Sequence, residues 1–233
     1  MPHWCKLSTS FLTSLSVVAL ASSVQAGLSF NSPDLQAPGN REAGASRSDD
    51  NCLVAADSRP DELVALIPNT NMGLTTEAAP TFYVYVPPNR GETLEFLLYE
   101  AGTNRLVYQE SYEPQASSGQ LLAVDLPADG QHSLTVGQDY YWYFSVVCSQ
   151  AQPDENLVVE SNIRRIAPTA ELSQQLAAAR PQDRPAIYAG AGVWYETLEA
   201  LAAVEPDYTS LQWRSLLQSV GLEELADTVA LKN

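Results

Sequence analysis

Residues 134–148, LTVGQDYYWYFSVVC, decide the fold of this chain. Leu134, Gly137 and Tyr140 have the spacing of a tyrosine corner, the turn that leads into a late strand of an immunoglobulin-like sandwich. Side chains then alternate between the two faces of a strand. One face carries Tyr140, Trp142, Phe144, Val146 and Cys148. This apolar face predicts a central strand whose tryptophan and phenylalanine lie in the core.

Further strand patterns, separated by turn residues, lie on both sides of this stretch. They are Glu62–Ile67, Thr81–Val86, Leu94–Tyr99, Arg105–Tyr112, Gln120–Leu126 and Leu157–Ile166. With the aromatic strand they make about seven short strands without intervening helices. Residues 51–167 are therefore predicted to form an all-β sandwich of the immunoglobulin-like class.

The apolar spacing changes to a helical period after Pro168. The helical patterns cover Ala170–Arg180, Ile187–Val204, Tyr208–Val220 and Leu222–Val229. Residues 168–233 are thus predicted to form a small α-helical C-terminal subdomain. Its large apolar side chains, among them Trp194, Tyr195 and Trp213, exceed what a few short helices can bury among themselves. We therefore expect the helices to dock on the sandwich.

Residues 1–26 have the layout of a secretory signal peptide. An apolar run over Phe11–Ala21 follows a weakly basic start, and Val24 and Ala26 offer a small-x-small cleavage site. A membrane anchor is the weaker alternative, because a spanning helix needs about 20 apolar residues. We expect a periplasmic or secreted mature protein. Residues 27–50, rich in Gly, Ser, Pro, Asn and Asp, are predicted to be a flexible linker.

The cysteine count changes when the leader is removed. Cys5 leaves with it, so that Cys52 and Cys148 become a pair. In an oxidising compartment a lone pair usually forms a disulfide, and we predict that these two do. The alternatives are a buried free thiol at Cys148 and a redox pair, although redox cysteines normally lie closer in sequence.

Charge and composition restrict the chemistry. The formal net charge of −16 repels nucleic acid and anionic membranes, so neither is an expected partner. His132 is the one histidine of the predicted mature chain, which excludes a histidine-based triad and a multi-histidine metal site. Among the acids, Asp125 with Asp129 could help to hold Ca²⁺, as could Asp49, Asp50 and Asp57. Solvated loop acids are the favoured interpretation, and we expect no metal, cofactor or catalytic residue.

Tyrosines provide the one suggestive surface pattern. They are Tyr83, Tyr85, Tyr99, Tyr141 and Tyr143, predicted on strand faces that point away from the core. If their strands share one surface, the result is a tyrosine-lined platform for a glycan or a peptide. The favoured alternative is that the C-terminal helices cover this face, since those helices need a partner surface.

Several segments also resemble a known family. They are residues 73–87, 94–96, 126–148, 159–165, 188–207 and 213–226. In this order they resemble a secreted cyanobacterial family, the domain of unknown function with the number nine-two-eight, over roughly residues 45–230. The resemblance implies a cyanobacterial source and export, and it implies no activity, cofactor or site residue. One departure is Ser161-Asn162, where the family has a glycine after the glutamate.

These patterns favour a non-enzymatic binding or accessory protein of the cell envelope, with an envelope protein or a glycan as partner. Two alternatives remain open. One is a hydrolase that uses paired carboxylates on envelope polymers, for which two carboxyl groups should lie about 5–10 Å apart in a cleft. The other is a structural subunit of an exported assembly.

Overall fold

The structure is a computed structural model that describes residues 27–43, 52–54, 61–114, 119–204 and 206–226. The predicted signal peptide lies outside the described residues, as do Asp49, Asp50 and Asp57. None of the described helices is long and apolar enough to cross a membrane.

The described chain is mostly β, with eight strands in two sheets and four α-helices near the C-terminus. The strands are β1 (Val64–Ala65), β2 (Met72–Thr75), β3 (Thr81–Val86), β4 (Thr93–Glu100), β5 (Arg105–Tyr112), β6 (Gln120–Asp125), β7 (Asp139–Val147) and β8 (Leu157–Arg165). The helices are α1 (Ala170–Ala178), α2 (Arg184–Gly190), α3 (Trp194–Ala202) and α4 (Pro206–Ser219). The prediction of a β-rich chain followed by helices is confirmed, whereas the immunoglobulin-like class is not.

The two sheets differ in size and connectivity. The smaller has the order β1-β3-β6, and the larger has the order β2-β8-β7-β4-β5. Seven strands match the predicted patterns, and β2 is the one that the sequence did not indicate. It has four residues, all buried, and pairs in parallel with β8 at the edge of the larger sheet. Four residues that include Gly73 give too short an alternation to be recognised as a strand.

The tyrosine corner forms as predicted. The backbone N–H of Thr135 donates a hydrogen bond of 2.9 Å to the Tyr140 hydroxyl oxygen. Trp142 and Phe144, on the same face of β7, are 1% and 0% exposed. The assignment of this face to the core is therefore confirmed.

Phe82 on β3 joins the two sheets and the helices. Its ring centroid lies 4.9 Å from that of Phe96 on β4 and 5.4 Å from that of Trp142 on β7. It also lies 5.2 Å from the ring of Tyr195 on α3. Edge-to-face and tilted contacts of this kind stabilise a core beyond the burial of apolar area alone. One aromatic cluster thus connects both sheets with the C-terminal helices.

Two indole N–H groups fix how the helices dock. Trp194 Nε1 donates to the backbone oxygen of Leu66 at 2.8 Å, and Trp142 Nε1 donates to the Tyr195 hydroxyl at 3.2 Å. All three aromatic side chains are buried. These bonds give the tryptophans polar partners inside the core and set the position of α3 against the sheets.

The predicted helix Ile187–Val204 is two helices, α2 and α3. Gly192 interrupts it with a φ of +71°, a conformation that disfavours other residues. A Cβ at this position would lie 2.9 Å from the backbone oxygen of Asn31. The chain therefore turns sharply and passes close to the N-terminal segment.

Residues 27–43 differ from the predicted flexible linker, because they pack on the helices and sheets. Leu28 and Phe30 are buried, and the Phe30 ring lies 4.8 Å from that of Trp194. The backbone N–H groups of Leu28 and Phe30 donate to the hydroxyls of Ser215 and Ser219 on α4. The apolar side chains of this otherwise polar segment bury enough surface to order it.

The predicted disulfide between Cys52 and Cys148 is confirmed. The two residues are 96 positions apart, and their Cα atoms lie 5.3 Å from each other. The bond ties a segment before β1 to the end of β7. It closes a long loop and so stabilises the fold chiefly by restricting the unfolded chain.

We predict that Trp142→Ala lowers the free energy of unfolding by about 3–5 kcal/mol, because it leaves a cavity where both sheets and α3 meet. Denaturant titration measures this loss. Tyr141→Ala is the matched control. Tyr141 precedes Trp142 in β7, and its side chain is partly exposed on the opposite face of the strand, so its loss should cost less stability. Equal losses for the two variants would contradict the core assignment.

We predict that Trp194→Ala destabilises the sheets and the helices together, by about 3–5 kcal/mol. Far-ultraviolet circular dichroism and tryptophan fluorescence should then report one shared unfolding transition. The control is Leu211→Ala on α4, whose side chain is 47% exposed and should change stability little. Helices that melt separately from the sheets would show that docking through Trp194 is not needed for the common core.

Candidate functional site

The structure separates the five tyrosines that the sequence placed on one candidate face. Tyr83 and Tyr85 lie on β3 in the smaller sheet and are only 7% and 3% exposed. Tyr99 lies on β4, and Tyr141 and Tyr143 lie on β7, in the larger sheet. The predicted face is corrected to a group of three, because β3 pairs with β1 and β6 and not with β4 or β7.

Tyr99, Tyr141 and Tyr143, the tyrosine cluster, form a compact group on the outer face of the larger sheet. The rings of Tyr99 and Tyr141 stack with centroids 5.3 Å apart and planes 12° apart. Tyr143 meets both rings edge-on, at 6.2 Å from Tyr99 and 5.7 Å from Tyr141. All three side chains are partly exposed. The cluster is therefore a closely packed aromatic surface that solvent partly reaches.

The expected helical cover does not lie on this surface. The anchors Trp194 and Tyr195 contact Leu66, Phe82 and Trp142. Trp142 alternates with the cluster residues along β7 and points to the opposite face of the sheet. The helices thus dock on the core side.

Polar groups surround the tyrosine cluster. Glu160 and Asn162 on β8 stand opposite Tyr143 and Tyr141 in the sheet register. The Tyr141 hydroxyl donates to Asn104 Oδ1 at 3.0 Å. Burial, and then the charge of Glu160, raises the pKa of Tyr143, so its hydroxyl keeps its proton at neutral pH. The surface therefore combines aromatic rings with hydrogen-bonding groups.

A second candidate region surrounds Glu196, which α3 carries into the interior. Its side chain is only 3% exposed. Its Oε1 accepts hydrogen bonds from the hydroxyls of Thr75 and Thr76, at 2.9 and 2.8 Å, and from the backbone N–H groups of Thr76 and Glu77. Within the described part of the chain, no donor reaches Oε2. Oε1 thus accepts four hydrogen bonds, whereas Oε2 is buried without a partner among the described residues.

Glu196 lines a pocket of about 320 Å³ between α2, α3 and the turn after β2, the Glu196 pocket. Glu77, Glu199, Arg184 and Tyr188 supply its other polar walls. Burial raises the pKa of Glu196, which its hydrogen-bond donors partly oppose. Burial and the neighbouring carboxylates raise the pKa of Glu199 as well. Perturbed carboxyl groups that line one pocket are typical of functional sites.

The two described acids considered for Ca²⁺, Asp125 and Asp129, have protein partners. Asp129 accepts from the backbone N–H groups of Gln131 and His132 and contacts the His132 ring. Asp125 accepts from the Thr81 hydroxyl at 2.7 Å. Across the residues that the structure describes, there is no group of three or more potential metal ligands. Nothing in these residues indicates an enzymatic activity.

A family model described as Domain of Unknown Function (DUF928) matches residues 42–229. The chain belongs to this family. The resemblance noted from the segments between residues 73 and 226 is thereby confirmed. Comparison with curated proteins and with solved structures gives no match. The DUF928 description assigns no function.

Sequence reasoning missed the Glu196 pocket. The available signal was an acid within the mostly apolar run Val193–Leu198, since an acid on the buried face of a helix needs a special environment. Its partners Thr75 and Thr76 lie about 120 positions earlier and gave no local signal. The strand alternation did place Tyr99, Tyr141 and Tyr143 away from the core.

We predict that Glu196→Gln stabilises the protein at neutral pH. The folded-state pKa of Glu196 lies above the ordinary value of 4.5, so the folded protein keeps a proton that the unfolded chain releases as the pH rises. Wild-type stability therefore falls from about pH 4.5 up to the raised pKa, and the glutamine variant lacks this loss. Near pH 4 the two proteins should be equally stable.

Denaturant titrations between about pH 4 and pH 8 measure the difference between the variant and the wild type. Taking the difference cancels the titration of all other groups. The exposed Glu92 supplies the control Glu92→Gln, which removes a carboxyl group that is not buried. A flat difference for Glu196→Gln would show that burial does not raise this pKa.

Proposed function

We propose that this DUF928 protein is an exported, non-enzymatic protein that binds an uncharged glycan of the cell envelope through the tyrosine cluster. The observation that carries the proposal is the stacked pair Tyr99 and Tyr141 with Tyr143 at its edge, partly exposed on the outer face of the larger sheet. Rigid tyrosines bind with little loss of conformational entropy and offer a ring together with a hydroxyl.

The surroundings of the cluster favour a sugar. A hexose presents C–H groups on its ring face and hydroxyl groups at its edge, and the cluster offers rings beside Asn162 and Glu160. Carboxylate and amide oxygens accept hydrogen bonds from sugar hydroxyls. The net charge of −16 disfavours an anionic polymer, so an uncharged glycan is the matching ligand.

Export is supported by two independent features. Residues 1–26 have the signal-peptide pattern described above. The disulfide between Cys52 and Cys148 suits an oxidising compartment, since disulfides are rare where thiols are kept reduced.

We also keep the relation to immunoglobulin-like sandwiches as a proposal. The tyrosine corner at Tyr140 supports it, because such corners are typical of that class. The parallel pairing of β2 with β8 differs from the antiparallel sheets of that class, and we interpret β2 as an added edge strand.

Affinity electrophoresis of the full mature protein tests the binding proposal. We predict that gels containing a soluble, uncharged β-glucan retard the wild type, whereas gels containing the anionic polysaccharide alginate do not. Tyr141→Ala should weaken the interaction by about 2 kcal/mol, roughly 30-fold, because it removes one ring of the stacked pair.

Tyr188→Ala is the matched control, since it removes a partly exposed tyrosine on α2 and should leave retardation unchanged. Thermal unfolding of each variant verifies that it is folded. No retardation of the wild type by uncharged glycans, or equal retardation of Tyr141→Ala, would refute the proposal. Capture of an envelope protein that depends on Tyr141 would instead identify the surface as a protein interface.

A further inference from the structure

The Glu196 pocket has an unmet need for a hydrogen-bond donor. Oε2 of Glu196 is buried and has no partner among the described residues, while four donors already occupy Oε1. A buried carboxylate oxygen without a partner is costly and is rare in native proteins. Glu196 lines the pocket, so a bound molecule can supply the missing donor once the carboxyl group shifts to expose Oε2.

The pocket also has more carboxyl groups than basic groups. Three carboxyl groups line it, from Glu77, Glu196 and Glu199, against one guanidinium from Arg184. None of the ion pairs found between described residues includes any of these three carboxyl groups. A ligand that fits the site should therefore carry positive charge and N–H donors together.

The remaining walls restrict the ligand further. Apolar surface comes from Ala79, Ala200, Ala203 and Val204, and the ring of Tyr188 stands nearby in the lining. These groups suit a short aliphatic stem and not a strongly hydrated metal ion. The described residues likewise contain no cluster with the composition of a metal site. The volume of about 320 Å³ suits a small molecule.

We propose that the Glu196 pocket binds a primary alkylammonium group, whose N–H donors pair with Oε2 of Glu196 and whose stem contacts the alanine and valine wall. This inference concerns a different surface from the tyrosine cluster and does not depend on glycan binding. The ammonium group can belong to a free small amine or to a lysine side chain, since both present the same chemistry.

Calorimetric titration of the full mature protein with n-butylammonium chloride tests this proposal. We expect saturable binding to the wild type and none of the isosteric but uncharged n-butanol. Glu196→Gln should weaken n-butylammonium binding by roughly 30-fold or more, because it removes the carboxylate charge with which the ammonium group would pair. Glu199→Gln should weaken it less. The charge-matched control Glu92→Gln should bind as the wild type does.

Proton linkage gives a readout that a purely structural role of Glu196 would not change. An ammonium ion favours the ionised form of this carboxyl group, so binding at a pH between the ordinary and the raised pKa of Glu196 should release protons in the wild type. Titrations in buffers of different ionisation enthalpy measure that release, and Glu196→Gln should release fewer. Four other titratable residues line the same pocket: Glu77, Glu199, Arg184 and Tyr188. Their contributions to the proton release are present in both the wild type and the variant.

A second probe identifies the source of the ammonium group. If Nα-acetyl-lysine amide binds as well as n-butylammonium, the pocket accepts a lysine side chain. If only n-butylammonium binds, the pocket takes a free amine, and both results support the proposal. It is overturned if n-butylammonium does not bind at about 10 mM, or if folded Glu196→Gln binds it as tightly as the wild type does.

Discussion

The position of Phe82 is the constraint on which the rest of the structure depends. Its ring touches Phe96 and Trp142 of the larger sheet and Tyr195 of α3, so one side chain of the smaller sheet holds three elements together. The hydrogen bond from Trp142 Nε1 to the Tyr195 hydroxyl then sets the position of α3 relative to β7. Glu196 follows Tyr195 in the chain, and its carboxyl group accepts hydrogen bonds from the hydroxyls of Thr75 and Thr76.

The sequence predicted the fold wherever a local pattern sufficed. Alternation in β7 and the spacing from Leu134 to Tyr140 identified the core strand and its corner. Pairing partners are set by contacts distant in sequence, and therefore the strand order and the parallel β2–β8 pair were not predictable. The order of residues 27–43 was missed for a related reason, since Phe30 is ordered by Trp194, which composition cannot indicate.

The candidate surfaces show the same division. Alternation put Tyr99, Tyr141 and Tyr143 on the outer side of their strands, but it could not assign Tyr83 and Tyr85 to another sheet. The Glu196 pocket depends on a turn, a strand and two helices that meet only in the folded chain. The raised pKa of Glu196 and its unpartnered Oε2 both result from burial in the folded protein. Neither property can be predicted from the residues next to Glu196 in the sequence.

The packing of residues 27–43 has a consequence for the order in which the protein assembles. Phe30 bonds to Ser219, 189 positions later, and Arg41 donates to the backbone oxygens of Val220 and Gly221 at the end of α4. These contacts exist only after the last helix has been synthesised. Closing the long loop between Phe30 and Ser219 is slow, because the chain loses conformational entropy before the new contacts can compensate for that loss. Residues 27–43 therefore reach their folded position only after α4 has been synthesised, although they precede every strand in the chain.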